Sequence, residues 1–380
     1  MDSSPQHCDV AIIGGGVIGL ACAWELAAQG RSVVVCDPAP AAGASRTAGG
    51  MLPPATESDF GEEAILGLNQ ASAERWPAFA ERLEAAADQT IGYHRSGALV
   101  VARDPDEAAQ LDRLASLHER LGLPSRRVRS REARRLEPRL SPRTRGALVC
   151  DGDDRVDNRA LLEALHRAGE AAGVALIRER VQAVESDGDA VAGVRLADGR
   201  RLGAAHVVLA AGWRSGEVEG VPLPVPVRPV KGQILHLRAR EGDPPPLAGE
   251  RFVRGLGFYL VPRGERRLVV GATMEERDQD TAITAGAVLK LLRDAWEVLP
   301  DVGELELVET DAALRPATPD NGPLLGHGGL DGLILACGHW RNGIALTPVT
   351  TAAVRALVEG QRPPEATAPF APARFAPTPA

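Results

Sequence analysis

Short apolar runs ending at glycine alternate along this chain with longer stretches of helical spacing. Residues 8–13 form the first run and predict a buried strand. Gly14-Gly15-Gly16-Val17-Ile18-Gly19 follows, then an apolar-rich stretch to Gln29 that stops at Gly30 and predicts a helix. Residues 32–36 predict a second strand, closed by Asp37. Helical spacing covers 65–87 and 104–122, the latter with Leu111, Leu114, Leu117 and Leu121 on one face. From Asp151 the pattern reads as a turn, an amphipathic helix and an incoming strand. Residues 181–184 and 191–196 then predict short strands around a Ser-Asp-Gly-Asp turn, and 206–211 a buried strand running into Gly212. Residues 258–262 and 268–274 predict a hairpin across 263–267. A helix over 285–299, a buried run at 333–336 and a helix from about Ile344 to Glu359 complete an α/β pattern.

Strand, G-x-G-x-x-G turn, helix, strand and acid lie in register within the first 37 residues. That arrangement is a mechanical fit to an adenine dinucleotide. Gly14 permits the tight turn, Gly16 removes a side chain where a pyrophosphate must approach, and Gly19 lets helix and strand pack closely. The pyrophosphate is favoured by the free N–H groups and dipole of the helix start. Asp37 would accept from a ribose diol. These features alone do not separate FAD from NAD.

Composition narrows the function classes. A chain of 380 residues predicts two or three domains, and 44% hydrophobic with 25% charged residues is ordinary for a globular protein. A net charge of −8 and 3% aromatics argue against a nucleic-acid surface. Lys231 and Lys290 are the two lysines among 43 basic residues, a compositional bias without functional content. Residues 126–145 hold nine Arg against Glu132 and Glu137, and read as a solvated helix and linker. Five cysteines without a CxxC pair predict a reducing compartment rather than a disulfide framework. The start of the chain lacks a basic segment, and the uncharged stretch 10–24 is too short to span a bilayer, so a cytoplasmic protein without membrane contact is expected. His94, His118, His166, His206, His236 and His327 are scattered, and no spaced cluster predicts a metal site.

Residues 41–51 form a second glycine-rich run, where flavin-dependent oxidoreductases often place a loop against the flavin. Here the chain resembles the D-amino acid oxidase superfamily, in particular its glycine oxidase branch linked to thiamine biosynthesis. Further segments carrying the resemblance are 225–233, 257–263, 311–326 and 332–348, and it extends to Phe375. It implies a Rossmann-like FAD-binding domain (1–88, 150–228 and 318–365) and a discontinuous α+β substrate-binding domain of antiparallel sheet plus helices (89–149 and 229–317). A C-terminal tail (366–380) follows. It places FAD contacts at Gly14, Gly16, Val17, Ile18, Gly19, Asp37, Pro38, Ala44, Ser45, Gly49, Gly50, Met51, Val181 and Gly212, and at His339, Trp340, Arg341, Asn342, Gly343 and Ile344. Non-covalent FAD is expected, since 315–326 contains no cysteine and Cys337 falls in a strand.

By the same resemblance Arg315 holds a substrate carboxylate, the Tyr259 hydroxyl is a further donor, Arg341 adds positive potential and Met274 lines the pocket. A planar guanidinium is the natural clamp for a planar carboxylate, and fixing it orients the α-hydrogen. The start of the last helix would face the flavin edge on which negative charge accumulates. The implied reaction moves a hydride from glycine, sarcosine or a small D-amino acid to flavin N5. The imino acid hydrolyses to a 2-oxo acid and ammonia or amine, and molecular oxygen gives hydrogen peroxide. A tetramer is implied by the family alone. Gly257 stands where some relatives carry a pocket histidine, and Trp340 where Phe or Tyr is frequent. A dehydrogenase passing electrons to another acceptor, an oxidase domain acting on modified tRNA and a non-catalytic binding protein of the same fold are the competing readings. The acidic balance and the lack of an appended domain count against the tRNA reading.

Overall fold

The strand His7–Ile13 lies in the middle of a mainly parallel sheet, between Val33–Cys36 and Arg201–Leu209. A computed structural model describes residues 6–58, 61–264 and 266–377. Glu265 in the expected hairpin turn, and the end of the expected tail, lie outside the described residues. The sheet runs Leu324–His327, Leu333–Cys337, Arg201–Leu209, His7–Ile13, Val33–Cys36, Ala175–Ile177. The antiparallel pair Val181–Asp187 and Ala190–Leu196 branches from Arg201–Leu209. Every residue of Val33–Cys36 and Leu333–Cys337 is buried, because both faces of a parallel sheet are covered. Helices Val17–Ala27, Asn158–Ala171 and Thr347–Val358 cover one face together with Trp76, Phe79 and Leu83.

A second sheet, antiparallel except for one pair, runs Glu306–Ala317, Arg228–Arg238, Arg267–Gly271, Phe258–Arg263, Phe252–Gly255, Ala98–Ala102, Gly146–Cys150, Ser125–Val128. Arg228–Arg238 pairs along its length with Glu306–Ala317, which brings Arg315 opposite Val230. Helix Ala285–Val298 packs Leu291, Ala295 and Val298 on one face of this sheet. Leu111 of helix Pro105–Leu121 packs with Phe252, Val261 and Val269 on the other. Asp104 accepts the Glu107 N–H and Gly122 closes this helix at φ +66°, so its bounds follow the local signals.

Elsewhere packing moved the bounds. The expected helix 65–87 is two, Glu63–Ala73 and Trp76–Ala87. The break lets the buried Trp76 stack on Tyr93 with centroids 5.9 Å apart and donate its indole N–H to Ala345 O at 2.9 Å. The last helix starts at Thr347, with Pro348 in its first turn, rather than at Ile344. The residues before it form hydrogen-bonded turns, Leu346 N–H to Asn342 O at 2.8 Å among them. The strand expected over 268–274 ends at Gly271, and Met274 is 63% exposed. The arginine-rich segment is strand Ser125–Val128 and helix Ser130–Leu136, with Arg126, Arg127 and Arg139 in ion pairs. In the segment expected as a C-terminal tail (366–380), Phe370 is buried in the core of the first sheet and Arg374 pairs with Asp320. Phe370 is apolar surface that the first domain can bury, which outweighs the proline-rich composition around it.

Candidate active site

A cavity of about 990 Å³ runs from the ends of the first sheet's strands to the second sheet. At one end lies the glycine turn. Gly14 has φ +108° and a Cβ there would stand 2.4 Å from Ala210 O, while a Cβ on Gly19 would stand 1.9 Å from Gly14 O. Gly14, Gly16, Val17 and Ile18 line the cavity; Gly19 does not, and acts solely by closeness of packing. Gly16 caps the helix without a side chain, and the Val17 N–H donates to Ser45 Oγ at 3.1 Å. Asp37 accepts from Gly15 N at 2.6 Å and Ala39 N at 2.7 Å, and lines the cavity beside Pro38. Val181 and Gly212 stand at the same end.

The second glycine loop contributes Ala44, Ser45, Gly49, Gly50 and Met51. It is held from behind by the other sheet and by the helix at Asn158. Asn158 Nδ2 donates to Ser45 O and Arg46 O, both at 2.8 Å, and Thr47 Oγ1 donates to Asp311 at 2.9 Å. The Arg263 guanidinium donates to Gly49 O and, at 3.2 Å, to Asn158 Oδ1. Burial pulls the Arg263 pKa down to about 10, which still leaves it charged at neutral pH. The sequence placed Arg263 at a hairpin turn, where a charged residue reads as solvated. Its role as a pin depends on contacts across the two sheets that no local pattern displays.

The turn 338–344 forms the third wall, where His339, Trp340, Arg341, Asn342, Gly343 and Ile344 all line the cavity. Gly338 is required because a Cβ would meet Thr318 Cγ2 at 2.6 Å. The buried His339 ring shares a hydrogen bond with Thr350 Oγ1 at 3.0 Å, and burial drops its pKa to about 3. It is therefore a neutral imidazole tying the turn to the last helix. Trp340 adopts φ +50°, a costly conformation for a bulky residue, and its N–H donates to Pro316 O at 2.9 Å.

At the far end Tyr259 and Arg315 meet. The Tyr259 ring is flanked by two glycines: a Cβ on Gly49 would stand 2.7 Å from it, and one on Gly271 2.3 Å. Arg315 lies over Gly232, where a Cβ would reach its Nη atoms at 2.3 Å. Its Nη1 donates to Thr273 O at 3.0 Å and lies 3.4 Å from Lys231 O. Among the described residues no carboxylate lies within ion-pair distance of Arg315, and burial lowers its pKa. A largely buried guanidinium held by backbone carbonyls alone has capacity for a carboxylate from outside.

Arg341, expected to add positive potential, lines the cavity and is ion-paired. Its Nε is 2.5 Å from Glu57 Oε2, and its Nη2 is 3.9 Å from Glu62. The other Glu57 oxygen is 2.8 Å from Arg254 Nη1. Opposite charge from a mostly buried carboxylate thus offsets Arg341. Glu57 and Arg254 both line the cavity, and neither is distinguished in the sequence by any motif.

The residues present fit FAD. The helix start, free of a capping side chain, the Asp37 carboxylate and the two glycine loops line one continuous cavity. Gly16 lines it without a side chain, and a Cβ built there would contact only Ser45 Oγ, at 3.4 Å. Comparison with known proteins points the same way. Residues 9–357 match the DAO family model, described as FAD dependent oxidoreductase. Glycine oxidase of Geobacillus kaustophilus is 35% identical over 95% of this chain and 96% of its own length. A crystal structure of glycine oxidase from that species has a TM-score of 0.90 at 33% identity, covering 99% of this chain and 100% of that one. A Rhizobium etli protein named as a thiamine biosynthesis oxidoreductase, ThiO, is 33% identical over 94% of this chain and 98% of its own. The crystal structure of iminodiacetate oxidase from Chelativorans sp. has a TM-score of 0.86 at 28% identity, covering 96% and 98%. On the fold, the fit of the cavity and these matches together, the chain belongs to the DAO family of FAD-dependent oxidoreductases.

Proposed function

We propose that this protein oxidises glycine, and amino acids close to it in size, with molecular oxygen as acceptor. The observation that carries this reading is Arg315, a cavity-lining guanidinium whose hydrogen-bond partners are backbone carbonyls and which, among the described residues, has no carboxylate at ion-pair distance. In this reading Arg315 clamps the substrate carboxylate through two N–H donors and the Tyr259 hydroxyl supplies a third. That grip holds the α-carbon at a fixed place in the cavity, and the buried walls exclude water from it. FAD, when bound, supplies the two-electron acceptor for the α-hydride. Gly14, Gly16, Val17 and Ile18, Ala44 and Ser45, Gly49 to Met51, Val181, Gly212 and His339 to Ile344 are the proposed cofactor contacts, with Asp37 and Pro38 at the ribose. Gly19 shapes the turn without touching the cofactor. Arg341 is proposed to anchor Glu57 rather than to add net charge. The chain's own residues need not remove a proton from carbon, since the free amine provides the electron push. Release of the imino product to water gives the 2-oxo acid and ammonia, and oxygen is reduced to hydrogen peroxide.

The domain division, the cytoplasmic location, the oligomer and a role in thiamine biosynthesis belong to the same proposal. The last is supported by the likeness to the Rhizobium protein. Among the described residues no helix is long and apolar enough to cross a membrane. The proposal is tested with an oxygen electrode and a peroxide assay on glycine, sarcosine and D-alanine. Equimolar oxygen consumption and peroxide support it. Dye reduction without oxygen uptake would make the protein a dehydrogenase, and a protein that never binds flavin would favour the binding reading.

Non-covalent attachment is expected from the thiols. Cys36 and Cys337 line the cavity but sit in buried strands, and burial pushes both up to about 12, so neither is a thiolate at neutral pH. Acid precipitation of the holoprotein should leave all flavin in the supernatant. A yellow pellet would mean a covalent link.

A further inference from the structure

We propose that Glu57 is a specificity-determining residue that limits the substrate to a single anionic group. The inference rests on the placement of the substrate carboxylate at Arg315.

Three guanidiniums line the substrate end of the cavity, those of Arg254, Arg315 and Arg341, and Glu57 is the carboxylate among them. Its two oxygens are divided between two of the three. Oε1 is 2.8 Å from Arg254 Nη1, and Oε2 is 2.5 Å from Arg341 Nε, an ion pair without aligned hydrogen-bond geometry. Arg315 is left as the sole uncommitted guanidinium. A substrate carrying one carboxylate is satisfied there. A second carboxylate would find both other arginines taken and would face the Glu57 carboxylate in a mostly buried site. Repulsion there is weakly screened by water, and a site discriminates most sharply by such a built-in penalty.

The placement of Glu57 is enforced by its loop. Asp153, fully buried, accepts the N–H groups of Ala55 and Thr56, each at 2.9 Å. Ser58 Oγ donates to Ala55 O at 2.7 Å and shares a hydrogen bond with His118 Nε2 at 2.9 Å. Arg254 also donates to Thr56 O. A loop pinned on both sides fixes the Glu57 backbone, and the ion pairs to Arg254 and Arg341 hold its carboxylate between them.

The bland alternative is that Glu57 merely ties its loop to the turn at Arg341. The two accounts differ in what neutralising Glu57 does. In the Glu57→Gln holoprotein, Arg254 loses its carboxylate partner and Arg341 keeps only the longer 3.9 Å pair with Glu62, so both become available to a second carboxylate. The probes are glycine, iminodiacetate (glycine bearing a carboxymethyl group on nitrogen) and N-(carbamoylmethyl)glycine, the isostere in which the second carboxylate is a neutral amide. The ratio of kcat/KM for iminodiacetate to that for glycine should rise roughly tenfold or more in Glu57→Gln, while the isostere-to-glycine ratio stays constant. Glu57→Asp, keeping the charge, should hold the low ratio. Binding gives a second readout: malonate should perturb the wild-type flavin spectrum with a Kd well above that of glycolate, and Glu57→Gln should close the gap.

An iminodiacetate ratio unmoved by Glu57→Gln would overturn the proposal, as would an equal rise for the isostere, which would make the effect one of volume. Equal Kd values for malonate and glycolate in the wild type would overturn it without any variant having to fold. Failure of the wild type to oxidise glycine, with malonate still discriminated, would count against the proposed substrate and leave the charge filter standing.

Discussion

Arg315→Ala should lower kcat/KM for glycine by at least roughly 100-fold, equivalent to about 3 kcal/mol, while the protein stays yellow. Arg315 lies at the end of the cavity away from the glycine turn and bonds to Thr273 O and Lys231 O. Among the described residues its removal therefore breaks no ion pair and leaves no orphaned carboxylate. The structural cost is confined to two carbonyls that water can reach once the side chain is gone. The catalytic cost is large because the planar fork supplies two of the three donors to the carboxylate, the Tyr259 hydroxyl alone does not fix its plane, and the α-carbon loses its fixed position with the fork. Arg315→Lys should fall between the two, since an ammonium keeps the charge and loses the bidentate geometry. Steady-state kinetics on both variants, with flavin content measured beside them, checks this. Glycine turnover within tenfold of wild type in Arg315→Ala would remove Arg315 from the site.

The second large effect is expected at a residue that does not touch the cavity. In Gly19→Ala the new Cβ would stand 1.9 Å from Gly14 O and 3.0 Å from Gly14 C, both backbone atoms with no rotamer to yield. Either the helix retreats from the first strand or the turn opens. Overpacking of this kind costs about 1–3 kcal/mol. Both responses also move the N–H groups at the helix start on which a pyrophosphate depends. The variant should elute from gel filtration with little or no flavin and melt several degrees lower. Gly30→Ala is the matched control. Gly30 has φ +84° and, beyond its chain neighbours, no atom within 4 Å of a built Cβ, so the cost is backbone strain of about 1 kcal/mol. Its flavin content should match wild type. Full flavin in Gly19→Ala would show that the turn tolerates opening and that the close approach does not govern binding.

What was legible in the chain was local. The first strand, the glycine turn, its helix and Asp37 lie within 37 residues, and each carries its own signal of period, glycine or charge. Arg315 and Tyr259 stand out through family resemblance, and the structure brings them to one cavity. The unread residues are those whose meaning lies in distant partners. Glu57 acquires its significance from Arg254 and Arg341, and Arg263 from Gly49 and Asn158. Asp153, buried with two backbone N–H donors and with its carboxyl pushed up to about 6 by burial, reads in sequence as one more acid in a turn. The periodicity over 65–87 hid a break because both helices keep one apolar face, and the break becomes visible only once Trp76 has Tyr93 and Ala345 to pack on.

Anaerobic titration of the holoprotein with glycine decides whether glycine binds in this cavity and gives up two electrons to the cofactor there. The visible flavin band should bleach on mixing and return when oxygen is admitted, with one peroxide formed per flavin reoxidised. A band that keeps its full intensity with excess glycine, in protein that dithionite bleaches completely, would contradict the account.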